Sequence, residues 1–158
     1  MKKAGFALVS QKCQYALRAI HELARQASKG SSGPMKIGDI AQAQAIPARF
    51  LEVILGQLKQ GGFVQSRRGA NGGYWLARDP GELTVGEVIR FVEGPLGPVI
   101  CVADPTEEAC PLRGECAFLP MWEEAKNAVS EVYDNTTFTN LLRVEEQQRN
   151  RYVPGYSI

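Results

Sequence analysis

The sequence predicts a mainly α fold with one small β-hairpin: a winged helix-turn-helix followed by a long C-terminal dimerisation helix. Three observations carry that expectation. Residues 10–60 hold three amphipathic helical segments with a tight connection before the third, a Gly- and Arg-rich hairpin pattern follows at once, and a later segment repeats its apolar residues at intervals of 4, 3, 4 and 3. With 158 residues, 44% hydrophobic and 22% charged, the chain has the size and composition of one globular unit with an appendage, which excludes disordered and low-complexity classes for most of its length. No apolar run approaches the roughly 18 to 20 residues a membrane span needs.

Ser10 is placed to cap a first helix whose apolar stripe is Ala16, Leu17, Ile20, Leu23, Ala24 and Ala27. The stretch Ser28 to Pro34 reads as a loop. A short second helix carries Ile37, Ile40 and Ala41. Pro47 suits the first turn of a third helix that buries Phe50, Leu51, Ile54, Leu55 and Leu58, exposes Ala48, Arg49, Glu52 and Gln57, and stops at Gly61-Gly62. Two β-prone runs between Phe63 and Arg78, with Gly69, Asn71, Gly72 and Gly73 between them, form the wing. Thr84-Val85-Gly86-Glu87 is a capping box opening a short helix that ends at Gly94-Pro95. A Pro-rich segment with three cysteines follows, then the long helix.

Its seam is Phe118, Trp122, Ala125, Val129 and Val132. A helix of ~20 residues must bury such a stripe, and a small winged helix offers little surface, so pairing with a second copy is favoured over packing within one chain. The expected division is therefore 8–80 winged-helix DNA-binding domain, 81–94 connecting helix, 95–116 cysteine loop, 117–142 dimerisation helix region and 143–158 flexible tail.

Net charge is only +1, but it is divided unevenly: residues 1–80 hold 12 basic and 4 acidic side chains, a net of +8, and the remainder carries −7. A basic half joined to an acidic half fits a nucleic-acid-binding unit coupled to a regulatory one. Arg49 and Glu52, at the exposed start of the third helix, have the hydrogen-bonding groups to read guanine and cytosine edges in a major groove. Arg67 and Arg68 on the wing, with Asn71 and Gly72 beside them, suit a close approach to the minor groove, against the alternative of a merely solvated hairpin tip.

Cys101, Cys110 and Cys116 lack the paired C-x-x-C spacing of common zinc sites. Asp104, Glu107, Glu108 and Glu115 surround them with an acidic field that a bound cation would offset. Three thiolates supply most of an iron-sulfur cluster's shell and leave one position for another ligand; zinc and three free thiols remain as alternatives. His21 is the only histidine, and no nucleophile-base arrangement or phosphate-binding loop is present, so the chain is not expected to be an enzyme.

Taken together, Tyr15-Ala16-Leu17-Arg18, Ile46-Pro47 through Leu58, the wing Ser66-Arg67-Arg68-Gly69-Ala70-Asn71-Gly72-Gly73-Tyr74, Thr84 to Ile89 and the cysteine loop make this chain resemble the IscR/NsrR/CymR-type winged-helix transcription regulators, the Rrf family, over about residues 8–142. The resemblance implies a cytoplasmic homodimeric repressor that binds double-stranded palindromic operator DNA, with no membrane and no small-molecule substrate. It also implies a 2Fe-2S or 4Fe-4S cluster on the three cysteines, serving iron-sulfur homeostasis. A nitric oxide or redox stress sensor of the same family and a metal-binding scaffold that does not bind DNA are the alternatives. Family members place a histidine three residues after the last cysteine, or use a carboxylate near the partner's first helix. Here those positions hold Leu119 and Gln14, which leaves the neighbouring Cys13 as a candidate fourth ligand, against solvent or a small thiol in that place and Cys13 as a buried structural cysteine.

Overall fold

A computed structural model describes residues 9–30, 33–104, 106, 110–112 and 114–151. The first helix, α1 (Gln11–Ser28), is capped as its sequence predicts, with Ser10 Oγ accepting the Cys13 backbone N–H at 3.1 Å. Cys13, Ala16, Ala19, Ile20, Leu23 and Ala24 form its buried face, while Leu17 is half-buried and Ala27, in the last turn, is exposed. Around that face pack α2 (Ile37–Gln44), α3 (Ala48–Gln60), the later helices α4 (Val85–Glu93) and α7 (Phe138–Arg151), and the second strand of the wing.

Ala45 ends α2 in the left-handed region at φ 48°, and the chain turns so sharply there that Ile46 N–H reaches back to the Ala41 carbonyl at 2.9 Å. This is the tight turn of the helix-turn-helix. Pro47 is the N-cap of α3 rather than part of its first turn. The buried face of α3 is Leu51, Ile54, Leu55 and Leu58; Phe50, expected among them, is 47% exposed, because the stripe centres on 51, 54, 55 and 58 and leaves position 50 at its edge. The wing is an antiparallel pair, β1 (Val64–Arg67) and β2 (Gly73–Leu76), with Val64 opposite Leu76 and Arg67 opposite Gly73. Met35, just before α2, adds a third short rung: its N–H donates to the Tyr74 carbonyl at 2.9 Å and its carbonyl accepts from Tyr74 N–H at 2.8 Å. The wing is thereby pinned to the helix-turn-helix.

Thr84 and Glu87 make the predicted capping box of α4, with Thr84 Oγ1 accepting Glu87 N–H at 3.2 Å and Glu87 Oε2 accepting Thr84 N–H at 2.9 Å. The cysteine loop is not wholly irregular, since Ile100–Ala103 form a one-turn helix, α5. The single long helix expected over 117–142 is two: α6 (Leu119–Asp134) and α7, broken at residues 135–137. Asn135 and two threonines are weak helix formers, and Thr137 Oγ1 starts the next helix by accepting Asn140 N–H at 3.1 Å. The break also pairs with the start of α4, where Val85 N–H donates to the Thr136 carbonyl and Phe138 N–H to that of Leu83. Residues 143–151, expected as tail, are the second half of α7; residues 152–158 lie outside the described residues. Their exposed, charge-rich sequence conceals the anchor: Glu145 accepts from Arg25 Nη1 at 3.1 Å and lies 3.1 Å from His21 Nε2, both on α1.

Phe138 is fully buried and joins α7 to the core of α1 and α4. Phe138→Ala should therefore destabilise the protein by about 3–5 kcal/mol in chemical denaturation. A loss under about 0.5 kcal/mol, normal for a surface position, would show that α7 is not part of the folded core.

Candidate nucleic-acid interface and cysteine pocket

One face of the molecule is built from α3 and the wing. Buried Leu51, Leu55 and Leu58 turn the opposite side of α3 outward, and Arg49, Glu52, Gly56 and Lys59 follow one another along it at intervals of 3, 4 and 3. Arg49 and Glu52 are both exposed, and the Arg49 guanidinium lies over the Phe50 ring, 4.7 Å from its centroid, which fixes its direction. On the wing Arg67 and Arg68 are exposed, and Arg67 Nη2 donates to the Asn71 carbonyl at 3.0 Å. Gly69, at φ 106°, and the Gly72 N–H···O Gly69 bond of 3.0 Å close the tip. Gly72, expected to face a ligand, is instead buried: a Cβ there would collide with the Arg67 carbonyl. It shapes the turn. Asn71 is exposed.

Between α3 and the wing runs a groove of about 620 Å³ whose walls carry Lys36, Lys59, Arg67 and Arg68 and, among the described residues, no carboxylate. Lys36 and Lys59 were not singled out in the sequence. Lys59 was legible from its place on the Arg49 stripe, whereas Lys36 comes into the groove only because Met35 pairs with Tyr74.

The second feature lies at the other end of the chain. Cys101 on α5, Cys110 in the loop and Cys116 just before α6 are all half-buried, unpaired in any disulfide, and open into one cavity of about 340 Å³. Val99, Val102, Leu119 and Trp122 form its apolar walls, with Glu123 and Lys126 at its α6 side. Lys126 Nζ donates to the Val102 carbonyl at 2.8 Å, tying α6 to the turn that presents Cys101. Among the described residues no three His, Cys, Asp or Glu side chains converge as a metal-holding group. The fit to an iron-sulfur cluster is therefore one of donor kind and shared access: three thiols line one cavity.

Cys13 does not belong to this set. It is fully buried on the core face of α1 beside Glu93, and burial, reinforced by the Glu93 carboxylate, pushes its thiol up to about 12. The reading of Cys13 as a fourth ligand is corrected accordingly: its stripe position turns it into its own core.

No residue of α6 is buried. Phe118 and Val132 are 62% and 63% exposed, and Ala125 is exposed too. Trp122 is half-buried against the cysteine cavity, and Val129 lines a hollow with Leu96 and Pro98. The five seam residues thus divide between neighbours within the chain and open surface. At its far end α6 is held by a two-pronged pair, Arg90 to Asp134 at 2.6 and 2.8 Å, and the Arg90 guanidinium keeps the Asp134 carboxyl below the usual carboxylate range.

Comparison with known proteins agrees with this architecture. The Rrf2 family, described as an iron-dependent transcriptional regulator, matches residues 9–144. The HTH-type transcriptional regulator CymR of Bacillus subtilis (strain 168) is 35% identical over 145 residues, covering 92% of this chain and 96% of CymR. Among solved structures, CymR of B. subtilis, described as its global cysteine regulator, superposes with a TM-score of 0.66 at 35% identity, covering 84% of this chain and 94% of that one. T. potens IscR superposes with a TM-score of 0.68 at 30% identity over 96% of each chain. An IscR relative, from Cronobacter sakazakii (strain ATCC BAA-894), is likewise named an HTH-type transcriptional regulator and is 29% identical over 138 residues, covering 87% of this chain and 82% of its own length. No helix among the described residues is long and apolar enough to cross a membrane.

The four thiols differ in a way that can be measured. With the Cys13 thiol at about 12, its thiolate fraction at pH 8 is on the order of one in ten thousand. A disulfide-exchange reagent at pH 8 should titrate three thiols of the native metal-free protein and reach the fourth only after denaturation. Four fast equivalents would contradict the burial of Cys13.

Proposed function

The chain belongs to the Rrf2 family of transcriptional regulators, and on that premise we propose that it is a homodimeric repressor whose affinity for operator DNA is controlled by an iron-sulfur cluster on Cys101, Cys110 and Cys116. Support for DNA as the ligand comes from the interface itself. Arg49 offers two parallel donors to guanine and Glu52 an acceptor to cytosine's amino group, while Lys36, Lys59, Arg67 and Arg68 line a groove where a phosphate backbone can lie. Charge with this placement is not what a scaffold for protein partners requires.

The single observation that carries the regulatory half is the opening of all three loop cysteines into one cavity against α6. Cys101, Cys110 and Cys116 would hold the cluster as thiolates, and the bound group would supply a redox- and ligand-sensitive crosslink between the loop and α6. The chain's own residues transmit that restraint. Lys126 ties α6 to the Cys101 turn, and Arg90 ties the far end of α6 to α4. Ser10 N–H donates to Glu93 Oε1 at 2.9 Å, tying the end of α4 to the start of α1, against which α3 packs. Phe118 and Val132, exposed on a helix with no buried residue, supply the surface for a second copy, so that a shift of α6 would change the spacing of two recognition helices.

Serine substitution of Cys101, Cys110 or Cys116 should abolish or severely reduce the visible absorption of anaerobically prepared protein, and a triad variant that keeps the parent spectrum would remove the cluster from this account. Arg49→Ala should weaken binding to a specific operator by about 1–3 kcal/mol and binding to non-specific DNA less, as read by anisotropy at fixed salt; equal losses on both would deny it a base contact. For assembly the informative site is Val132, which is exposed in the single chain. Val132→Asp should leave the circular dichroism spectrum unchanged and shift sedimentation from dimer to monomer, because it places an unpaired charge only in the interface; an unshifted dimer would exclude Val132 from the seam.

A further inference from the structure

Three thiolates leave a cluster one ligand short, and we propose that the Glu123 carboxylate of the same chain supplies it. This rests on the cluster reading above and deepens it. Among the described residues, Glu123 is the only carboxylate that lines the cavity into which Cys101, Cys110 and Cys116 open. It stands one helical turn after Leu119, which lines the same cavity, so the two residues share one face of α6. Side chains on a helix tilt toward its N-terminus, which carries a carboxylate at 123 back toward the turn that follows Cys116. Glu123 is exposed, so its side chain can swing inward without disturbing the core. Of the positions the sequence pointed to, Cys13 is sealed in the core and Leu119 has no lone pair to offer.

Charge supports the assignment as well. Three thiolates and a carboxylate bring four negative charges to the iron-sulfur core. Lys126, three residues after Glu123 and lining the same cavity, places an ammonium beside them while held to the Val102 carbonyl. Ligation is a simple exchange, in which a carboxylate oxygen donates a lone pair to iron and displaces solvent or a buffer ligand, with no electron transferred. An oxygen ligand among sulfurs is the harder and weaker donor, and it marks the iron it binds as the exchangeable one.

The test uses the full chain, reconstituted anaerobically with ferric iron, a thiol reductant and sulfide. The parent is compared with Glu123→Ala, Glu123→Cys and Glu124→Ala, the last an exposed neighbour about 100° away around the helix. Iron and sulfide content, visible absorption and the rate of iron loss to a chelator are followed. Glu123→Ala should release iron about tenfold faster than the parent; Glu123→Cys should slow release and shift the absorption toward an all-thiolate spectrum, and Glu124→Ala should match the parent. Should the parent take up iron and sulfide but the two Glu123 variants release iron at the parent's rate with its spectrum, the ligand assignment is overturned and the cluster reading stands. A parent that takes up none overturns both, and circular dichroism of each variant separates ligand loss from unfolding.

Discussion

The buried face of α1 carries only small side chains at Cys13, Ala16, Ala19 and Ala24, with Ile20 and Leu23 between them. Small residues let neighbouring helices come close, and α2, α3, α4 and α7 all pack around this one helix. The recognition helix, the wing and the C-terminal half are therefore positioned against the same rod. A larger residue at Ala16 or Ala19 would push several elements apart at once, since a close-packed interior has no slack to absorb the volume. The burial of Cys13 follows from the same constraint: a thiol in that stripe acts as a small apolar side chain whatever its chemistry elsewhere.

Polar contacts tie the periphery to this rod. Glu145 on α7 meets His21 and Arg25; Arg25 pairs with Glu22, and Glu22 accepts from Gln44 Nε2 of α2 at 2.7 Å. The chain of side chains runs from the C-terminal helix through α1 to the helix-turn-helix. A second route joins α6 to α4 through Asp134 and Arg90, and α4 to α1 through Glu93 and Ser10. Among the described residues, packed and hydrogen-bonded elements thus join the cysteine loop to the face built from α3 and the wing, with no direct contact between the two.

Much of this was legible beforehand because local chemistry and tertiary structure agree. Ser10 and the Thr84-Glu87 box mark helix starts, the apolar periods mark buried faces, and Gly61-Gly62 ends α3 where a positive φ of 76° at Gly62 is required. The failures have physical causes. The 4-3-4-3 repeat runs on to Val132, but periodicity says nothing of the Asn135–Thr137 break, which is set by pairing with the start of α4. The only buried residue of α7 is Phe138 at its start, and its second half is polar and held through Glu145, so composition reads that half as tail. Phe50 lies at the rim of its stripe, and Lys36 joins the basic groove only through a bridge between Met35 and Tyr74 that sequence spacing does not reveal. Of the candidate site, the three loop cysteines were found by their clustering, and the shared cavity that makes them one unit needed the fold.

On the proposed function, occupancy of the cysteine cavity changes how the face built from α3 and the wing holds DNA. This is tested most directly by measuring the operator dissociation constant of one anaerobic preparation at fixed salt, first loaded with iron and sulfide and then stripped by chelator. The account predicts that the two constants differ by about tenfold or more, a coupling near 1.4 kcal/mol. Equal affinities for protein shown to gain and lose its cluster would contradict it.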